Sequence, residues 1–426
     1  MPLARVARLL GTSSPKVRSD VHVPRDLAAA TSIGAGESFP PRAGLAVDDV
    51  QAIWSAVEDL YRSRAYPAIG FCLRRRGQVM LNRTLGWVRG GGPGDPAHGP
   101  RELLTPSSPV CLFSASKAIT AILVHKLAEE GGIDLDVRVA HYLPEFAQAG
   151  KHDITVADVL SHRGGFPTIN LPKHERRVEV LEDWDRVIHL ICQAPQTHGR
   201  ALAYHAITGG FILAEIVQRV TGASIRDYLD QHIRQPLGMQ HFTYGLRAQD
   251  RPHVAVNYVA GQKVRFPLSV LAERALLAPF DRVVEASNSP TFMEAVIPAG
   301  NIFATADELS RFYQMLLDGG VWQGRRILKE ETVARAVRPV GGFSFDRMLM
   351  IPMRYSEGMM LGSASVGLYG PDCAEAYGHL GFINILGWAD PKREISAALL
   401  TTGKAILGGH LLPLSRLLGA IAKRCL

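Results

Sequence analysis

The 426-residue chain is 47 % apolar and 20 % charged, with a formal net charge of +7. Its length suits one large domain or two interleaved ones with a sizeable core. The basic residues are scattered and no Lys/Arg run is interleaved with aromatics; this excludes nucleic acid as a partner and leaves an anionic substrate or a membrane surface open.

Residues 1–45, rich in Arg, Ser, Ala and Pro, read as a poorly structured leader. Within it Leu3, Val6, Leu9 and Leu10 beside Arg5 and Arg8 have the spacing of a short amphipathic helix. Ile53, Trp54, Val57, Leu60 and Tyr61 form a helical stripe opened by Asp48 and Asp49. Residues 68–74 and 78–87 read as strands of a hairpin around Arg75-Arg76-Gly77. Gly90 to Pro96 is a flexible loop; no Gly-Lys-Ser/Thr follows it, so it is no phosphate cradle.

Ile119, Ile122, Leu123, Leu127 and Ala128 recur at helical spacing up to a stop at Gly131-Gly132. Thr155 with Asp158 suits a capping box, and Phe211, Ile212, Ile216, Val217 and Val220 stripe a helix that stops at Gly222. Ile225, Tyr228, Leu229 and Ile233 stripe the next. Thr305 with Glu308 caps a helix through Leu309, Phe312, Met315 and Leu316. Residues 377–382, 383–388 and 395–401 read as strands, and Leu414, Leu417, Leu418 and Ile421 as a closing helix with Pro413 in its first turn.

Strands at both ends around a helical middle predict an α/β fold: an antiparallel sheet flanked by helices, built from both chain ends, with an all-helical insert. The expected division is a leader over 1–45, an α/β domain from 46–114 and 291–426, and a mainly helical domain over 115–290, with the active site between the last two.

Five cysteines, Cys72, Cys111, Cys192, Cys373 and Cys425, are odd in number, far apart and without a C-x-x-C. They suggest neither a disulfide framework nor a zinc ribbon, and favour a reducing compartment. No apolar run approaches the length of a transmembrane helix, and no secretory signal is evident. A cytoplasmic protein is expected.

The chemistry centres on Ser114 and Lys117, three residues apart and so on one face of a helix. A serine hydroxyl becomes a good nucleophile when a neighbour takes its proton, and an amine can do so when burial and the positive helix end hold it neutral. The same helix end points N–H groups at an anion forming beside Ser114. A second S-x-x-K, Ser13 to Lys16, has no apolar helix behind it and is set aside. Tyr204, just ahead of a striped helix, has a phenol that can share or hand on a proton. In Tyr377-Gly378-His379-Leu380-Gly381-Phe382 two glycines let a ligand's backbone come close, and His379 would present a polar donor to it. His162 and His205 are read as structural. The chain has no G-x-S-x-G elbow, and His174-Glu175 lacks the second histidine of a zinc hydrolase. Neither a metal nor a cofactor is expected.

The order Ser114-x-x-Lys117, Tyr204 about ninety residues on, and His379-x-Gly381 near the C-terminus resembles the serine β-lactamase and penicillin-binding-protein-like superfamily. The resemblance is to its class C β-lactamase branch, which includes the class VIII carboxylesterases. It extends over residues 47–420 and includes Ser161-His162-Arg163-Gly164-Gly165 and Pro298-Ala299-Gly300-Asn301. It implies a β-lactamase/transpeptidase-like fold, Ser114 as acylated nucleophile, Lys117 with Tyr204 as the proton-handling pair, and the N–H groups of Ser114 and Phe382 as the oxyanion hole.

Two departures bear on substrate. Ala206 stands where the family commonly has the Asn of Tyr-x-Asn, and His379-Leu380-Gly381 stands for Lys-Thr-Gly. Loss of the Asn amide disfavours a β-lactam or peptide and favours an ester. The expected function is a serine hydrolase that forms an acyl-enzyme on a small carboxylic ester. Its rivals are a β-lactamase or D-Ala-type peptidase, a transacylase on the same machinery, and a catalytically silent scaffold.

Overall fold

The computed structural model describes residues 21–96, 98–169, 171, 178–276 and 278–426. The segment with Leu3, Val6, Leu9 and Leu10, the second S-x-x-K at Ser13 and Lys16, and His174-Glu175 lie outside the described residues.

The main sheet has eight strands: β1 (Thr31–Ile33), β2 (Ala68–Arg75), β3 (Gln78–Arg89), β4 (Glu102–Leu103), β5 (Met360–Leu361), β6 (Tyr377–Gly381), β7 (Ile385–Asp390) and β8 (Ile395–Thr401). Their order is β1-β3-β2-β8-β7-β6-β5, with β4 beside β3, and every pairing is antiparallel. The two chain ends meet where β2 pairs with β8, from Ile395 opposite Arg75 to Thr401 opposite Ile69. The antiparallel sheet expected from both ends is present.

Strand alternation sorts the sheet's side chains into two layers. On one face Ile69, Phe71, Leu73, Trp388, Ala397 and Leu399 share a core with α1 (Val47–Arg62) and a C-terminal helix over Leu411–Arg424. On the other, Ala68, Cys72, Ala389, Ala398 and Leu400 pack with Leu309, Phe312 and Tyr313. All eight residues of β2 are buried, as a strand covered on both faces requires.

Between these ends run α2 (Ser116–Glu129), α3 (Val156–Leu160), α4 (Thr208–Thr221), α5 (Leu268–Leu276), α6 (Phe280–Ala286) and α7 (Ala306–Leu317), before α8 (Leu411–Arg424). Both expected capping boxes form. Thr155 Oγ1 accepts from Asp158 N at 3.1 Å while Asp158 Oδ2 accepts from Thr155 N at 2.8 Å, and Thr305 and Glu308 exchange the same pair at 3.2 and 2.9 Å. α4 ends as expected at Gly222, in the left-handed region with φ 73°.

Two expectations need correction, and one expected helix is buried more fully than its stripe implies. Residues 21–45, assigned to the leader, are packed: Val21, Leu27, Ala30, Ala43 and Leu45 are buried, β1 pairs with β3, and Glu37 holds Arg83 at 2.7 Å. A three-residue edge strand has too little pattern to stand out in sequence. Helix α2 shows an apolar stripe in sequence, yet Ser116 to His125 are buried without a break, because the helix runs through the core. The strand expected from residue 383 begins at Ile385, since Ile383 (φ 45°) and Asn384 (φ 70°) form the turn from β6.

No helix of the described residues is long and apolar enough to cross a membrane.

Candidate active site

Ser114 lies in a 3-10 turn, Phe113–Ala115, that leads directly into α2. Phe113 takes φ 45°, a costly conformation for a bulky residue, and so turns the chain sharply just before the hydroxyl. A three-stranded sheet holds the turn: Val110–Cys111 and Thr243–Tyr244 flank Ile302–Ala304. Leu112 N donates to Ile302 O at 2.8 Å, and Ile302 N donates to Ser116 Oγ at 3.0 Å.

One turn on, Lys117 Nζ is 2.9 Å from Ser114 Oγ and donates to Ala299 O at 2.8 Å. Lys117 is buried, and desolvation holds its pKa well below the usual lysine value. A neutral amine would have a lone pair for the Ser114 proton, so helical spacing and burial place a hydroxyl that can serve as nucleophile beside an amine that can serve as base.

Tyr204 is buried beside both. Its ring centroid is 5.1 Å from Lys117 Nζ, it shares the cavity wall with Ser114, and burial raises its pKa well above the usual phenol value. It therefore stays protonated at neutral pH, able to donate. Its backbone N–H is held by buried Asp346, whose Oδ1 accepts from Tyr204, Met348 and Leu349 N at 3.1, 2.8 and 3.0 Å. Asp346 Oδ2 accepts from Tyr355 OH at 3.2 Å, and the His162 ring packs against both Tyr204 and Tyr355, with centroids 4.7 and 4.9 Å away. Asp346, Tyr355 and Ala299 carry no local sequence signal for this role. His162, read as a loop histidine, is a buried wall of the site; its Nδ1 accepts from His205 N at 3.2 Å.

His379 is on β6, with its ring 6.2 Å from that of Tyr204. Its Nδ1–H is used internally, donating to Leu380 O at 2.7 Å, which leaves Nε2 as an acceptor. Burial pushes its pKa down to about 3. The expected donor to a ligand is thus replaced by a neutral acceptor beside Tyr204, and the wall towards the cavity is made by Leu380, Gly381 and Phe382. At Gly381 a Cβ would stand 2.1 Å from Leu112 O. Only glycine lets β6 press so close to the chain entering Ser114, and this approach brings Phe382 alongside Phe113, with ring centroids 5.1 Å apart.

Ser114 opens onto a cavity of about 450 Å³. Its walls are Phe113, Phe280, Val283, Phe292, Met348, Met360 and similar apolar residues, with Ala206 among them. Among the described residues, its polar side chains are those of Ser114, Tyr204 and Asn384, and none is charged. The Asn384 amide is already engaged, with Nδ2 donating to Ala405 O at 3.2 Å.

A serine hydroxyl, a buried amine, a phenol and an apolar chamber stand together here, an arrangement that can carry acyl transfer. The Beta-lactamase family profile matches residues 51–410. The chain belongs to this family. The esterase/beta-lactamase LipL of Mycobacterium tuberculosis is 29 % identical over 306 residues, 68 % of each chain. A family VIII carboxylesterase structure is 26 % identical, with a TM-score of 0.74 over 90 % of this chain and 99 % of its own. A penicillin-binding protein homologue from Caulobacter crescentus is 27 % identical, with a TM-score of 0.72 over the same shares. The protein is accordingly a serine hydrolase of β-lactamase-like fold acting on small molecules.

Proposed function

We propose that the protein is a carboxylesterase that transfers the acyl group of a small, uncharged ester to Ser114 and then to water. Ser114 Oγ attacks the ester carbonyl while its proton passes to Lys117 Nζ. The N–H groups of Ser114 and Phe382 hold the oxyanion. Collapse breaks the bond to the alcohol, whose oxygen takes the Tyr204 proton, and Lys117 returns a proton to Tyr204. Water then attacks the acyl-enzyme by the same steps in reverse order, releasing the acid and free Ser114.

The observation that carries this reading is that, among the described residues, the lining of the cavity around Ser114 carries no charge. A cephalosporin or a D-Ala-D-Ala peptide carries a carboxylate, and removing that charge from water is costly without a cationic partner. An ester with an apolar acyl chain has no such charge. Ala206, on the wall, offers no side-chain group to a substrate amide. The family VIII carboxylesterase and LipL support the same activity. Cavity walls drawn from both parts support a site between an α/β domain (46–114 and 291–426) and a helical one (115–290), and five buried free thiols favour a cytoplasmic setting.

Steady-state kinetics at one pH on short-chain aryl esters, a chromogenic cephalosporin and a D-Ala-D-Ala peptide test it. The expected kcat/KM for the esters is at least about tenfold the higher of the other two, the cost of one stranded polar group. A faster cephalosporin or peptide would make the protein a β-lactamase or peptidase instead.

A further inference from the structure

Two elements that wall the cavity are apolar on their outer side as well. Helix α5 contributes Ala272 and Leu276 to the cavity, and the hairpin of Ser344–Asp346 with Ile351–Met353 contributes Met348, Leu349 and Ile351. Facing solvent from the same two segments are Phe266 (82 % exposed), Val270 and Phe343 (54 % each), Phe345 (53 %) and Met350 (48 %). Isolated exposed apolar residues are ordinary, but five on two segments bordering one cavity form a patch. In the strand, Phe345 points out because Asp346, its neighbour, points in to hold Tyr204.

On these stretches the exposed cations outnumber the exposed acids four to one. Lys263, Arg265, Arg274 and Arg347 are exposed, and none is in an ion pair among the described residues. Arg274 and Arg347 come from different segments, yet both lie close enough to His198 to lower its pKa, so the cations converge. The acids on the same stretches are Glu273, which is exposed, and Asp346, which is buried. Apolar side chains set among unpaired cations fit an anionic, oily surface. They fit a second copy of the chain poorly, because a two-fold contact would set the same cations against one another.

We propose that this rim docks on an anionic phospholipid surface, with the cavity mouth facing the lipid. An acyl ester dissolved in that surface would then enter towards Ser114 without crossing water. Delivery of an ester rests on the esterase reading; the docking does not.

The test is co-sedimentation of the intact protein with vesicles of phosphatidylcholine mixed with phosphatidylglycerol, and of phosphatidylcholine alone, at low and high salt. Binding is expected on the mixed vesicles, weakened by salt and by omission of phosphatidylglycerol. Val270→Asp/Phe343→Asp and Arg265→Glu/Arg274→Glu should each weaken it about tenfold or more while leaving hydrolysis of a water-soluble ester unchanged. Absence of binding, equal binding to both vesicle types, or wild-type binding by either double variant overturns the proposal. So does a dimer in solution that Val270→Asp/Phe343→Asp dissociates without any vesicle binding. Vesicle binding by a protein inert towards esters would leave the docking standing and remove the esterase reading instead.

Discussion

Asp346 Oδ1 accepts the backbone N–H of Tyr204 at 3.1 Å, joining residues 142 positions apart. The same carboxylate gathers Met348 N, Leu349 N and Tyr355 OH. It ties Tyr204 to the hairpin that walls the cavity, so the geometry beside Ser114 depends on a residue that touches neither Ser114 nor Lys117.

Asp346→Ala strands several buried donors at about 1–3 kcal/mol each, and should lower both Tm and kcat. Asp346→Asn keeps an oxygen for the three N–H groups and should recover most of the stability. The check is thermal unfolding beside steady-state kinetics on one ester. Wild-type kcat in a folded Asp346→Ala protein would show that Tyr204 does not need this anchor.

Ser114→Ala should abolish turnover and labelling by a fluorophosphonate while keeping the fold. Ser116→Ala should still label, because Ser116 Oγ is occupied by Ile302 N. Intact mass after labelling distinguishes them, and a labelled Ser114→Ala protein would assign the nucleophile elsewhere.

Lys117 and Tyr204 act on one proton in this scheme, so their losses should not add. Lys117→Ala/Tyr204→Phe should be little slower than the slower single variant. For the wild type, the lowered Lys117 pKa sets the pH profile: the amine must be neutral, so activity falls as pH drops through that value and is level above it. An activity that still climbs towards the usual lysine pKa would contradict a neutral Lys117. A coupled pair is likewise contradicted if the two single losses in activation free energy sum to the double.

Ala206→Asn should narrow the gap between esters and the cephalosporin by about five- to a hundred-fold, the worth of satisfying one buried polar group. The measurement is the ratio of the two kcat/KM values. An unchanged ratio would remove residue 206 from substrate selection.

Lys404 lies fully buried under the Phe113 ring, 4.8 Å from its centroid, with Nζ donating to Thr401 O at 2.6 Å. Burial pushes its pKa down to about 7 from 10.5. The unfolded chain binds the proton more tightly, so folding carries the full penalty below about pH 7 and loses it progressively as pH rises to 10.5. Lys404→Met should stabilise the protein by about 1–3 kcal/mol at neutral pH, with the gain fading across that window. Denaturant unfolding at several pH values checks it; a gain that is constant with pH would mean the lysine is not buried neutral.

The sequence by itself determined what is local. Ser114 and Lys117 meet because three residues are about one helical turn, the capping boxes of α3 and α7 form within a single turn, and the periodicities of two and of 3.6 mark the long strands and helices. Tyr204 and Gly381 were legible through resemblance, as positions in a spaced set, without any local pattern that required them. Tertiary structure alone decided the rest. The Nδ1–H of His379 turned to Leu380 O, the packing of residues 21–45 on the sheet, and the seats of Ala299 and Asp346 at the site depend on side-chain directions and on contacts across many residues. Burial acts in the same way: the Lys117 pKa is lowered because the fold removes water from its amine, and no residue adjacent in sequence does that.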